Sequence, residues 1–139
     1  GYVIVATVDS QKIKYFDLKN GKKAFELNIH PDDRQFKGGS PWGGISIDKK
    51  NNLLFLTTGN PRPALLGSYR KGPNKNANSI IAIDLKKREI AWSFQEVSHD
   101  LWDYDIASPP LLTTIRINDK LLDVVIVTTK IGNTLILID

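Results

Sequence analysis

The stretch SHDLWDYD, residues 98–105, gathers three aspartates, a histidine, a tryptophan and a tyrosine. It is too polar for a core strand and too aromatic for an ordinary turn. Asp103 and Asp105 are two positions apart, so a locally extended backbone puts both carboxylates on one face and Trp102 on the other. Two like charges that close raise one carboxyl pKa unless a cation sits between them. A carboxylate near an apolar ring and a metal is suited to general-base work. The same residues also suit an Asx-type turn in which Trp102 is a packing plug.

Three more side chains have chemistry of the same kind. Trp42 precedes Gly43 and Gly44 in SPWGG, where small neighbours leave an indole face open to a flat ligand. Asn60 stands between Gly59 and Pro61 and has a neutral amide oxygen suited to a hard cation such as calcium. Lys130 follows the apolar run VIVTT and precedes Ile131–Gly132, a strand-end position from which an ammonium can reach a ligand carbonyl. Taken singly, each has a plainer use: Trp42 in a core, Asn60 in a turn, Lys130 in solvent.

These groups need a rigid frame, and the chain predicts one made of strands. YVIVATVD, KIKYFDLK, KAFELNI, GGISID, NLLFLTTG, SIIAIDL, IAWSFQEV, LLTTIRI, DVVIVTT and NTLILID are short, rich in Val, Ile, Thr and aromatics, and separated by turn residues. No long window has a helical period, so helices should be few. KIKYFDLKNGKKAFEL echoes SIIAIDLKKREIAWSF: a strand ends in Asp17 or Asp84, a basic turn follows, and an aromatic, Phe25 or Trp92, leads the next strand. The final TLILID ends on Asp139 as if opening a third copy. Repeats of this kind predict propeller blades, approximately 1–40, 41–97 and an incomplete 98–139, with the aromatic packed between neighbouring sheets. A β-sandwich is the alternative. The segment from Pro61 to Asn78 interrupts the second unit; irregular loops that long are usually functional or mobile.

Bulk composition narrows the class of function. With 139 residues, 41% hydrophobic and 24% charged, the chain is globular in character. It begins and ends inside apolar β-like runs, which predicts a fragment of something larger. No apolar run approaches the roughly 18 residues of a membrane-spanning helix, and no signal peptide is recognisable. The absence of cysteine excludes disulfides and thiolate chemistry from this stretch. The net charge of +4 comes from lysines scattered over turns, without the basic, aromatic-interleaved stripe that a nucleic-acid partner requires.

The order Trp42-Gly, Gly59-Asn60-Pro61, His99-Asp100-x-Trp102-Asp103 and Lys130 resembles the quinoprotein dehydrogenases that use pyrroloquinoline quinone (PQQ) in an eight-bladed propeller. The resemblance runs over nearly the whole chain. It implies an all-β fold, a partial eight-bladed propeller of two to three four-stranded blades. It also implies oxidation of a sugar, polyol or alcohol hydroxyl, with a quinone or cytochrome as electron acceptor. By this resemblance Trp42 stacks on the planar quinone, and Lys130 contacts its carbonyls. Asn60 binds the divalent metal, calcium or else magnesium or a lanthanide. Asp103 is the catalytic base and a metal ligand, with Asp105 as a further candidate ligand. Lys at position 130, with HDLWDYD, leans toward the membrane-bound glucose, polyol and quinate branch rather than the methanol branch, which implies a periplasmic protein. Any membrane association would come from regions outside this chain.

Some features depart from the family pattern. Lys86–Lys87–Arg88 stands where the family's turn has T-G-K, which loosens the turn. The vicinal cysteine pair of methanol-type enzymes is absent from this stretch. The acidic metal ligand and the cap over the other quinone face belong to other blades, so this chain alone implies an incomplete site. The rival reading is a cofactor-free propeller scaffold of outer-membrane protein assembly, a class that shares the blade repeats but lacks the Trp/Asn/HDxWD set.

Overall fold

The computed structural model describes residues 1–7, 11–30 and 36–138. Its regular structure is almost entirely strand. Strands β1 (Tyr2–Ala6), β2 (Lys12–Asp17) and β3 (Lys23–Asn28) form a first antiparallel sheet. Among the described residues β4 (Lys37–Gly38) pairs with β7 (Pro61–Arg62) alone. A second, four-stranded sheet has the order β5 (Ile45–Asp48), β6 (Leu53–Thr57), β8 (Ser79–Asp84), β9 (Glu89–Gln95). β10 (Leu111–Ile117), β11 (Lys120–Thr128) and β12 (Thr134–Ile138) make a third. The only helical element among the described residues is one 3-10 turn, Gly67–Tyr69, and no helix there is long and apolar enough to cross a membrane. All ten strands expected from sequence are present, whereas the short β4–β7 pairing was not foreseen.

The second sheet is apolar on both faces because sheets cover it from both sides. Successive side chains of a strand point oppositely. Leu54, Leu56, Ile81 and Ile83 therefore face the first sheet, where they meet Ile13 and Tyr15. Phe55, Ile80 and Ala82 face the third, where they meet Val125 and Val127. These side chains are buried, and each Leu, Ile or Val so placed contributes about 1.5–3 kcal/mol by leaving water. This explains why NLLFLTT and SIIAID read as nearly continuous apolar runs rather than alternating ones. The turn lysines Lys19, Lys22, Lys23, Lys49, Lys50, Lys86 and Lys87 are all exposed.

The internal echo is structural down to its irregularities. The Asp17 carboxylate accepts the Lys19 backbone N–H (2.7 Å), and that of Asp84 accepts the N–H groups of Lys86 (2.8 Å) and Lys87 (2.9 Å). Each strand pair has a register shift at the matching place, Tyr15/Phe16 and Ala82/Ile83. Phe25 packs into the core between the first and second sheets and Trp92 into the core between the second and third, its ring 5.9 Å from that of Phe55. Asp139, the start of the third copy, lies outside the described residues. The turn after Asp84 is not loosened by its lack of glycine. Arg88 takes up a left-handed φ of 60° where Gly21 has 68°, and the closing bonds to Asp84 and Asp17 are 2.7 and 2.8 Å. The Arg88 guanidinium lies 5.4 Å from both the Tyr2 and Phe25 rings, where cation–π attraction offsets the backbone cost and ties the first sheet to the second.

The long segment from Pro61 to Asn78 is irregular but anchored. Arg70, fully buried, donates to the Pro63 carbonyl (2.9 Å), the Ala64 carbonyl (2.5 Å), the Asn74 side-chain oxygen (2.7 Å) and the Asp100 carbonyl. Asn74, Asn76 and Asn78 are buried with φ of 53°, 70° and 47°, a backbone that asparagine tolerates better than most residues.

Candidate active site at one end of the sheets

The chemistry-bearing residues sit at one end of the sheets. Trp42 precedes β5, Asn60 follows β6, Asp103 and Asp105 lie between β9 and β10, and Lys130 follows β11. The β4–β7 pairing explains why two of these segments meet. It lays the residues before Trp42 against those after Asn60, and the contact continues with Gly39 N–H to the Asn60 carbonyl (2.8 Å) and Gly59 N–H to the Ser40 carbonyl (3.0 Å).

Trp42, Asn60, Asp103 and Asp105 line one cavity of about 180 Å³, with Ser40 and Arg62 also on its wall. Asp105 is the fixed member of this group, at 7% exposure. Its Oδ1 accepts the Asn60 backbone N–H (2.7 Å) and, at 3.4 Å, the Trp42 indole N–H. Gly59 is what permits this approach: a Cβ there would lie 2.4 Å from Asp105 Oδ1 and 2.5 Å from Trp42 Nε1. Asp103 is exposed, and its Oδ1 accepts the Asn60 side-chain N–H at 2.7 Å. Lys130 Nζ donates to Asp103 Oδ2 (2.9 Å), to the Asp103 carbonyl (2.6 Å) and to Asp105 Oδ2 (3.4 Å). A cation therefore stands between the two carboxylates.

Bonding to Asp103, and secondarily to Asp105, pushes the Lys130 ammonium above the usual lysine range, against an opposing effect of desolvation. A group whose folded pKa is raised contributes stability below its unfolded pKa, and that contribution disappears as pH climbs through the folded value. Full-length wild type and Lys130→Met should therefore differ in thermal midpoint at pH 8, and the gap should narrow as pH rises through the raised lysine pKa. Thermal melts from neutral to strongly alkaline pH check this; a gap that does not narrow at all rules the ion pair out as its source.

Three of the expectations drawn from spacing are corrected here. The SHDLWDYD segment is not extended: Asp103 has a left-handed φ of 63°, so the carboxylates do not share a strand face but reach Lys130 from a turn. An Asx-type bond is present, from the Trp102 N–H to Asp100 Oδ1 (2.8 Å), yet Trp102 is 72% exposed and plugs nothing. Nor do Gly43 and Gly44 leave room for a ligand. A Cβ on Gly43 would meet Thr57 Oγ1 at 2.5 Å, and one on Gly44 would meet Pro109 Cβ at 2.8 Å, so that space belongs to the protein's own packing. Trp42 is nonetheless 46% exposed.

Residue type and spacing do not mark Arg62 or Ser40 as site residues. For Asp100 the sequence offers one signal, a third aspartate within eight residues beside Asp103 and Asp105. A larger recess of about 500 Å³ lies at the opposite end of the sheets, where Lys50 pairs with Asp123 at 3.1 Å. It brings together no comparable set of groups.

Among the described residues no three His, Cys, Asp or Glu side chains form a metal cluster. The oxygen donors on hand are two carboxylates and an amide: Asp103, Asp105 and Asn60. Hard donors of this kind match calcium better than zinc, but calcium takes six to eight oxygens. Alone they are too few to complete such a shell.

An all-β stack of antiparallel sheets, with its polar constellation on connections at one end, defines a segment of a β-propeller. Residues 3–138 match the family described as PQQ: Glucose/ethanol/alcohol dehydrogenase, beta-propeller domain, and the chain belongs to that family. A quinoprotein glucose dehydrogenase of Escherichia coli (strain K12) is 31% identical over 136 residues, covering 90% of this chain and 17% of that protein. The glycerol dehydrogenase large subunit of Gluconobacter thailandicus is 28% identical over 137 residues, covering 90% of this chain and 18% of that protein. The crystal structure of quinohemoprotein alcohol dehydrogenase from Comamonas testosteroni superposes with a TM-score of 0.86 at 24% identity, over 99% of this chain and 25% of that one. The chain thus spans less than a fifth of the length of these two curated relatives.

Proposed function

We propose that this chain supplies one arc of the active site of a PQQ-dependent dehydrogenase that oxidises a sugar, polyol or alcohol hydroxyl. The observation that carries this reading is the meeting of an indole, an amide and two carboxylates at one cavity, with the Lys130 ammonium bonded to both carboxylates. The residues fit the group. Gly59 makes space for the indole against Asp105. The Asn60 amide oxygen has no hydrogen bond among the described residues, which leaves it available to a cation alongside the Asp103 carboxylate.

In this reading Trp42 holds the flat ring system by stacking, and Asn60 with Asp103 holds the divalent cation, with Asp105 as a further ligand. When bound, PQQ supplies the two-electron acceptor and the cation a Lewis acid that polarises it. Asp103 accepts the substrate hydroxyl proton at its carboxylate. Lys130, anchored by Asp103 and Asp105, supplies fixed positive charge at the same place. Arg62 on the cavity wall gives the segment from Pro61 to Asn78 a direct part in lining the site. Calcium is the expected ion, with magnesium or a lanthanide as the alternatives. Electrons leave to a quinone or cytochrome, and the protein works in the periplasm, where parts outside this chain would provide any membrane anchor.

Equilibrium titration of the full-length protein with PQQ, with and without calcium, tests the reading. Saturable, calcium-dependent binding is expected. A protein that binds neither is a scaffold of the outer-membrane assembly kind.

A further inference from the structure

We infer that Asp100 is the positioning residue of this site: its buried carboxylate clamps the backbone on both sides of Asp103 and so sets where that side chain stands. This inference rests on the proposed role of Asp103 as base.

Asp100 is 1% exposed. Its Oδ1 accepts the Trp102 N–H at 2.8 Å, and its Oδ2 accepts the Tyr104 N–H at 2.7 Å. These two amides flank Asp103, whose φ of 63° lies in the left-handed region. A non-glycine residue persists in that region only where its surroundings over-determine it. The clamp is itself held from the long segment. The Asn78 side-chain N–H donates to Asp100 Oδ2 (3.0 Å) and to the Tyr104 carbonyl (2.9 Å), and Arg70 binds the Asp100 carbonyl. Asp103, by contrast, is exposed and among the described residues reaches only Asn60 and Lys130 through its carboxylate. The precision of its placement therefore comes from backbone that Asp100 fixes. Asp100 does not line the cavity and touches no ligand group, so it acts through its neighbour.

The test uses the full-length protein loaded with PQQ and calcium. In Asp100→Asn the amide group has one acceptor oxygen and turns an N–H toward a backbone or Asn78 donor, so at least one of the three bonds is lost. The expected kcat falls roughly 10- to 100-fold, the scale of a misplaced catalytic group. KM for glucose, glycerol or ethanol, whichever the wild type oxidises, should stay within about threefold, and PQQ affinity in saturating calcium should fall far less than kcat, since Trp42, Asn60, Asp105 and Lys130 remain. The fall should vanish when the same change is made in an Asp103→Asn background, because a positioning residue has nothing left to position. A crystal structure of Asp100→Asn should show Asp103 out of the left-handed region. An equal fall in both backgrounds, or an unmoved Asp103, overturns the inference. Should Asp103→Asn turn over like wild type, the base assignment fails, and the Asp103 backbone in the crystal alone decides the clamp. If Asp100→Asn does not fold, Asn78→Ala leaves both backbone bonds intact, removes the third donor, and should lower kcat in the same direction by less.

Discussion

Asp103→Asn in the full-length, cofactor-loaded protein should lose turnover by about 10²- to 10⁴-fold, the usual contribution of a positioned base. Asparagine has nearly the same shape, and its oxygen can still accept a bond from Lys130, which lies 2.9 Å from the carboxylate. What it cannot do is take a proton at neutral pH. PQQ binding should therefore change far less than turnover, since Trp42, Asn60, Asp105 and Lys130 remain. Steady-state kcat with glucose, glycerol and ethanol and a dye acceptor, set beside a PQQ titration, separates the two effects. Turnover within a few-fold of wild type would remove Asp103 from the role of base.

Arg70→Met should be the most damaging substitution for stability, by about 3 kcal/mol or more. The guanidinium is fully buried and serves four acceptors: the carbonyls of Pro63, Ala64 and Asp100 and the side-chain oxygen of Asn74. Methionine fills much of the volume but leaves all four without that donor, and buried unpaired acceptors carry their full desolvation cost. Arg70→Lys should rescue little, because a single ammonium cannot span acceptors laid out for a planar fork. Denaturant unfolding of the full-length protein measures the loss. Limited proteolysis should locate it in the segment from Pro61 to Asn78, and a variant as stable and as resistant as wild type would mean that this segment is held by other contacts.

The strands were legible because Val, Ile, Thr and aromatics fill them and turn residues part them, and the hairpin echo was legible down to its packing aromatics. The two-residue strands were not: Lys37–Gly38 and Pro61–Arg62 contain the residue types least favoured in strands, and they pair because flanking loops bring them together. At the site, Trp42, Asn60, Asp103 and Lys130 drew notice through residue type and order. Asp100, Arg70 and Asn78 did not: Asn78 and Arg70 reach Asp100 across 22 and 30 positions, and the short-range bonds of Asp100 and Arg70 join groups that separately look like turn formers or solvated charge. Periodicity reports which way a side chain faces on a regular element. It is silent on irregular backbone, where the left-handed turn at Asp103 replaced the extended conformation that spacing suggested.

The constellation straddles a seam. Trp42 and Asn60 hang from the ends of the second sheet and Lys130 from the third, with the two aspartates on the strap between them. Whatever binds across all of them acts as a rivet through two plates: it can seat only while the plates are closed, and once seated it resists their parting. Occupancy and mechanical integrity are then one equilibrium, in which ligand at a hundred times its dissociation constant adds about 2.7 kcal/mol against opening.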